Sequence, residues 1–128
     1  MEREVLLTGI GGQGIQLAGK TLATAAIAEG RQVMVFGSYG ASMRGGNTDA
    51  TVVIGDGPLM SPPTVSRAWY AVGMHHQFWA PIRDRLRPGG LAVIDSSVFQ
   101  GDVGAAGVTV VPIEASTFAI DQIGRAHV

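Results

Sequence analysis

A chain of 128 residues, 46% hydrophobic and 15% charged, has room for one packed domain and too much apolar content for a disordered segment. The formal net charge is −1, and the eight arginines and one lysine are scattered, with only Arg83, Arg85 and Arg87 close together, which argues against a nucleic-acid surface. There is no cysteine, so the chain has no disulfide and no thiolate of its own to ligate an iron–sulfur cluster. The apolar runs fall well short of the roughly 20 residues of a membrane span. Met1-Glu-Arg-Glu4 leads directly into a strand-like run without a secretory signal, so a soluble cytoplasmic protein without a membrane partner is expected.

Val5 to Thr8 is a short β-rich run that ends at Gly9. Gly9-Ile10-Gly11-Gly12-Gln13-Gly14 follows as a glycine loop. Ile15 to Glu29 predicts a helix: it is rich in Ala and Leu, lacks Pro, and stops at Gly30. Leu17, Leu22, Ala25 and Ala26 can share one face of it. Gln32 to Phe36 predicts a second strand, which completes a strand–loop–helix–strand crossover unit. Gly37 to Gly46 is a polar glycine loop, Thr48 to Ile54 a strand, and Gly55-Asp56-Gly57-Pro58 a turn. Arg67 to Val72 predicts a further strand, Phe78 to Leu86 a helix with Pro81 in its first turn, and Pro88-Gly89-Gly90 its end. Leu91 to Asp95 and Val108 to Val111 are strands, and Ser116 opens a helix. Strands alternating with helices predict an α/β three-layer sandwich around a mostly parallel, Rossmann-like sheet.

Gly9-x-Gly11-x-x-Gly14 has the spacing of a dinucleotide fingerprint between a strand and a helix. Glycines there allow a tight turn and let an anion approach the free N–H groups of a helix N-terminus. An NAD site also requires an acid about 20 residues on, at the end of the second strand. The sequence has Gly37-Ser38-Tyr39 at that place, which disfavours NAD. A tight turn without a ligand remains open. Ser38-Tyr39-Gly40-Ala41-Ser42-Met43-Arg44-Gly45-Gly46 would emerge on the same sheet edge as the first loop. Arg44 could there pair with a phosphate or carboxylate, or the loop could face solvent or a subunit. Adjacent His75 and His76 point in different directions and suit a helix cap or interface rather than a chelating pair. Asp95 ends a strand, where it could bind or cap the next turn. Trp69, Tyr70, Phe78 and Trp79 suit the core or an interface. No Ser/His/Asp order and no paired carboxylates stand out, so no catalytic residue is assigned.

Gly9-Ile-Gly-Gly-Gln-Gly14 with Leu17-Ala18-Gly19-Lys20 resembles the opening of the gamma subunit of 2-oxoacid:ferredoxin oxidoreductases. Ser38-Tyr39-Gly40 with Arg44-Gly45-Gly46 is similar to a second signature of that family. The Thr51–Ile54 strand and Gly89-Gly90…Ile94-Asp95 fall in the family's order. Trp69-Tyr70-Ala71 is more aromatic than the family's usual aliphatic strand, and the family's C-terminal part is missing. The resemblance implies a non-catalytic subunit of a complex that oxidatively decarboxylates a 2-oxoacid to an acyl-CoA. Thiamine diphosphate with its magnesium ion and the iron–sulfur clusters would lie on alpha and beta partner subunits, and ferredoxin or a related acceptor would take the electrons. The resemblance also implies that Gly11, Gly12, Gln13, Gly14, Ser38, Tyr39 and Arg44 face coenzyme A or a subunit interface. A self-sufficient NAD(P)-binding enzyme and a binding module without chemistry remain as alternatives.

Ile123-Gly-Arg-Ala-His-Val128 matches what a widely used sequencing-library adapter encodes in one reading frame. The expectation is a gamma-type domain over residues 1–122, cut short at its C-terminus, followed by a non-native tail over 123–128. In some family members the gamma part is fused ahead of the alpha subunit.

Overall fold

A computed structural model describes residues 2–11, 13–39, 46–60 and 67–117, with the side chains of Ser38 and Tyr39 outside that description. The first strand, β1 (Glu2–Ile10), is buried without alternation from Glu4 to Gly9. A strand buried on both faces belongs in the middle of a sheet. It sits between β3 (Asn47–Gly55) and β4 (Ala68–Gly73) in a six-stranded sheet of order β2-β3-β1-β4-β5-β6. The remaining strands are β2 (Gln32–Tyr39), β5 (Leu86–Asp95) and β6 (Thr109–Ile113).

The pairings β1–β4, β4–β5 and β5–β6 are parallel, and β1–β3 and β2–β3 are antiparallel. Only β3 therefore runs against the other five, and the sheet is mostly parallel as predicted. The crossover through α1 (Ile15–Ala28) does return parallel to β1, but β3 occupies the place between β1 and β2. Local sequence defines the crossover; it does not say that a later strand will slot inside it.

Two apolar clusters pack on opposite faces. Val5, Leu7, Ala50 and Val52 meet Ile15 and Ala23 of α1. Leu6, Val53, Ala71, Ala92 and Ile94 meet Trp79 and Ile82, which belong to and flank α2 (Ala80–Arg83). Alternation of side chains along each strand sorts these residues into the two layers. No described helix is long and apolar enough to cross a membrane.

The helical face of α1 differs from the predicted one. Ile15, Gly19, Ala23 and Ala26 are buried, Ala25 is exposed, and Leu17 is 69% exposed. The small residues set the phase: a Cβ on Gly19 would sit 3.2 Å from Ala50 Cβ, so α1 lies with its backbone close to β3. The helix predicted over 78–86 is one turn, Ala80–Arg83. Phe78 has φ 67°, a left-handed value that interrupts the helix on its N-terminal side. Arg85 O accepts a hydrogen bond from Ala68 N at 2.8 Å, and Leu86 already pairs with Ala68, so β5 begins five residues earlier than Leu91. The Pro88-Gly89-Gly90 stretch is therefore a strand irregularity opposite Ala68–Tyr70 and does not end a helix. β2 also runs on past Phe36 to Tyr39, which makes Ser38 and Tyr39 strand residues in backbone terms.

Gly90 is required by close approach. A Cβ there would lie 2.5 Å from Trp69 O and 2.9 Å from Arg87 O, both backbone atoms. Gly90→Ala is expected to lower the unfolding free energy by about 1–3 kcal/mol in denaturant melts, the usual cost of overpacking. Unchanged stability would mean that the bulge between β4 and β5 is not as described.

Candidate functional site

The carboxyl ends of β1, β2, β4, β5 and β6 share one edge of the sheet, because those five strands run in one direction. Open α/β sheets bind ligands on that edge. The two glycine loops meet there: Gly11 N donates to Gly46 O at 2.9 Å. The structure thus joins the first loop to the end of the second across 35 residues of sequence, an expectation the spacing alone could state but not test.

Gln13 is turned into the protein. Its Oε1 accepts from Ile10 N at 2.8 Å, and its Nε2 donates to Met74 O at 3.0 Å. Met74 N donates in turn to Thr8 O at 2.9 Å. One amide thus holds the glycine loop against the end of β1 and against the exit of β4. Gly9 makes room for it: a Cβ there would be 2.6 Å from Gln13 Oε1 and 2.8 Å from Ile15 Cδ1. Gly14 has φ 75° and forms the N-cap of α1. Among the described residues no side chain caps that end, and no acidic residue lies in the first turn to offset the positive end of the helix dipole.

A polar cluster that the sequence reading missed supports the same edge. Thr8, fully buried, donates its hydroxyl to Asp49 Oδ1 at 2.7 Å, and Asn47 Nδ2 donates to Asp49 Oδ2 at 3.2 Å. Gln16 Nε2 reaches Asp49 O at 2.7 Å from α1. Asn47 Oδ1 is buried and has no partner among the described residues. The signal for this cluster was the polar i, i+2 pair Asn47 and Asp49 at the start of a strand that turns apolar toward Ile54. It carries meaning only once β3 is known to lie beside β1.

Asp95 closes the edge at β5. It is 2% exposed. Its carboxylate accepts from Ser97 N at 3.1 Å, Ser116 Oγ at 2.5 Å and Ser116 N at 3.4 Å. Burial raises its pKa, but the hydrogen bonds from Ser116 and Ser97 outweigh burial and hold it below the ordinary aspartate value. Asp95 therefore caps the turn after β5 and pins the helical residues 115–117, one of the two roles the sequence left open.

Of the seven residues singled out from the sequence, Gly11, Gln13 and Gly14 are placed at this edge. Gln13 acts there as a clamp, with its oxygen and one N–H already engaged by the backbone. Ser38 and Tyr39 end β2 with their side chains outside the description. Gly12 and Arg44 lie outside the described residues, as do 118–128.

A cavity of about 340 Å³ lies elsewhere, lined by Arg3, Val5, Arg31, Ile54, Asp56 and Tyr70 at the opposite end of β1. Its cations are engaged: Arg31 pairs with Asp56, and Arg3 lies 4.4 Å from the centroid of the Trp69 ring. Among the described residues no group of three His, Asp or Glu side chains could hold a metal ion.

The family model for pyruvate ferredoxin/flavodoxin oxidoreductase matches residues 4–128. The 2-oxoglutarate synthase subunit KorC of Methanocaldococcus jannaschii is 33% identical over 103 residues, 80% of this chain and 54% of that protein. The chain spans about half the length of the curated KorC relatives it matches. The crystal structure of the gamma subunit of a keto/oxoacid ferredoxin oxidoreductase from Geobacter sulfurreducens superposes with a TM-score of 0.81 at 26% identity, over 97% of this chain and 67% of that one. A 2-oxoglutarate:ferredoxin oxidoreductase from Magnetococcus marinus, solved with 2-oxoglutarate, coenzyme A and succinyl-CoA, shares the fold at TM-score 0.81 and 24% identity, over 94% of this chain and 21% of that one.

Two variants test the edge. Gln13→Ala leaves Ile10 N and Met74 O without their partner and is expected to cost about 1–3 kcal/mol of unfolding free energy. Gln13→Glu keeps the acceptor for Ile10 N but sets a carboxylate oxygen against Met74 O, and should be destabilised as well. For Asp95, a depressed folded pKa means that its stabilisation is present above the unfolded value of about 3.9 and is lost as pH falls through the lower folded value. Acid melts of the wild type should therefore lose stability below that pH, and Asp95→Asn should be less stable at neutral pH and flatter across the acid range. Parallel acid profiles for the two proteins would contradict the assignment.

Proposed function

Because the chain belongs to the pyruvate ferredoxin/flavodoxin oxidoreductase family, we propose that it is the gamma subunit, or gamma domain, of a 2-oxoacid:acceptor oxidoreductase. The complex would oxidatively decarboxylate a 2-oxoacid to its acyl-CoA and pass electrons to ferredoxin or a related acceptor. The observation that carries the reading is the hydrogen bond from Gly11 N to Gly46 O, which joins both glycine signatures on the carboxyl edge of the sheet.

The chain's residues fit a supporting role. No cysteine lies in these 128 residues, so iron–sulfur clusters would be held elsewhere in the complex, and Thr8 and Gln13 at the edge bond within the protein. Thiamine diphosphate and magnesium are likewise assigned to the alpha and beta subunits. Coenzyme A is a different case. Gly11 and Gly14 keep side chains away from the uncapped N-terminus of α1, which suits approach of a pyrophosphate, and Gly12 would serve the same end. Ser38, Tyr39 and Arg44 would complete that face, with Arg44 as the cation. Gln13 keeps the loop in shape as a positioning residue.

The NAD(P) reading is weaker for two reasons. β2 ends in Ser38-Tyr39 without an acid, and β3 separates β1 from β2. That insertion moves the end of β2 about 10 Å from β1, two strand spacings, whereas the dinucleotide motif uses adjacent strands.

Arg44→Ala in the assembled complex is expected to raise the KM for coenzyme A about tenfold, the loss of one charge-assisted phosphate contact, or to prevent assembly. Arg44→Lys should recover part of either effect. Wild-type assembly together with a wild-type KM would remove Arg44 from this role.

A further inference from the structure

β4 leaves the sheet at Gly73, and Met74 is held on both sides, by Thr8 O and by Gln13 Nε2. The next two residues are therefore fixed to the same edge as the glycine loop. The rings of His75 and His76 stack there with centroids 4.2 Å apart and planes 27° apart. Each uses Nδ1 as an acceptor: Gln77 N donates to His75 Nδ1 at 3.0 Å, and Gln100 N donates to His76 Nδ1 at 3.1 Å. A ring nitrogen that accepts a hydrogen bond carries no proton, so the proton of each neutral imidazole lies on Nε2. Neither Nε2 has a partner among the described residues.

The pair is also braced. Phe99 meets His76 edge-on at 6.1 Å and Trp79 edge-on at 5.6 Å. Trp79 is 3% exposed and donates Nε1–H to Val103 O at 2.8 Å. Two N–H donors on stacked rings with centroids 4.2 Å apart suit a group that only accepts. A metal ion would need the lone pair of each Nε2, which the tautomer removes, and stacked rings do not converge on one point. A phosphate presents several acceptor oxygens at once and does not need its donors to converge on a single atom.

We propose that His75 and His76 form a subsite for a phosphate group of a small-molecule ligand, held by the two Nε2–H groups. In the cell that phosphate would belong to coenzyme A, and this part rests on the function proposed above. His75 has a lowered pKa, from burial first and from the neighbouring His76 second, which favours its neutral, donating form in the absence of an anion.

Long-range 1H–15N NMR of the full chain labelled at histidine reads both the tautomer and the binding. Before addition, both imidazoles should show the Nε2–H form. Inorganic pyrophosphate should then move the Nε2 signals of both residues saturably. The double variant His75→Asn, His76→Asn keeps an acceptor for the Gln77 and Gln100 N–H groups and lacks Nε2. It should melt at the wild-type temperature and bind pyrophosphate at least about tenfold more weakly, as expected for two lost hydrogen bonds to an anion. His→Gln at each position returns an N–H near Nε2 and should restore part of the binding, which also serves if the Asn pair folds poorly. An Nδ1–H tautomer at either residue, absence of saturable shifts, or wild-type binding by the Asn pair would overturn the subsite. If pyrophosphate binds the histidines while the complex's KM for coenzyme A ignores the Asn pair, the subsite stands and its assignment to coenzyme A falls.

Discussion

The side-chain amide of Gln13 is the contact on which the geometry of this edge depends. A glycine loop has no side chains with which to hold its own shape, and its backbone entropy is high. Gln13 supplies the missing constraint with one acceptor and one donor, fastening the loop to Ile10 behind it and to Met74 at the exit of β4. Gly9 is glycine because that amide passes over it, and Met74 stays in line because Thr8 O holds its N–H. His75 and His76 inherit their position from the same clamp. A loop that looks like a ligand cradle is thus rigid before any ligand arrives, and preorganisation of that kind favours binding.

Around the clamp, the edge divides into groups that are satisfied and groups that are left open. Thr8 Oγ1, Asn47 Nδ2 and Gln16 Nε2 all donate to Asp49 between β1, β3 and α1, while Asn47 Oδ1 is buried without a partner among the described residues. Asp95 is satisfied by Ser97 and Ser116. Among the described residues, the start of α1 and the Nε2 groups of the two histidines are left as open donors. Donors of this kind can receive an anion, which suits the binding role proposed for this edge.

Much of the fold was legible in the sequence because the signals were local. The apolar run before Gly9, the Ala-rich stretch up to Gly30 and the turn at Gly55–Pro58 each mark an element by their own chemistry. The failures share one cause: they depend on contacts distant in sequence. The insertion of β3 between β1 and β2 is a choice among pairings that periodicity cannot see. The inward face of α1 was misread because Gly19 and Ala23, small residues that admit a close backbone, outrank Leu17, which is larger and lies outside. The helix over 78–86 gave way to strand because Leu86 finds Ala68 as a partner. At the site, the glycines were legible and the function of Gln13 was not. Glutamine in a glycine loop reads as a ligand contact until Met74, 61 residues away, is seen to take its amide.

The most direct test of the gamma-subunit account is reconstitution of the full chain with candidate alpha and beta subunits, assayed as dye reduction driven by a 2-oxoacid and coenzyme A. The account predicts a stable complex whose activity requires all the subunits, together with no saturable NAD(P) binding by this chain alone. Failure to assemble with any thiamine-dependent partner, combined with micromolar NAD(P) binding by the isolated chain, would contradict it.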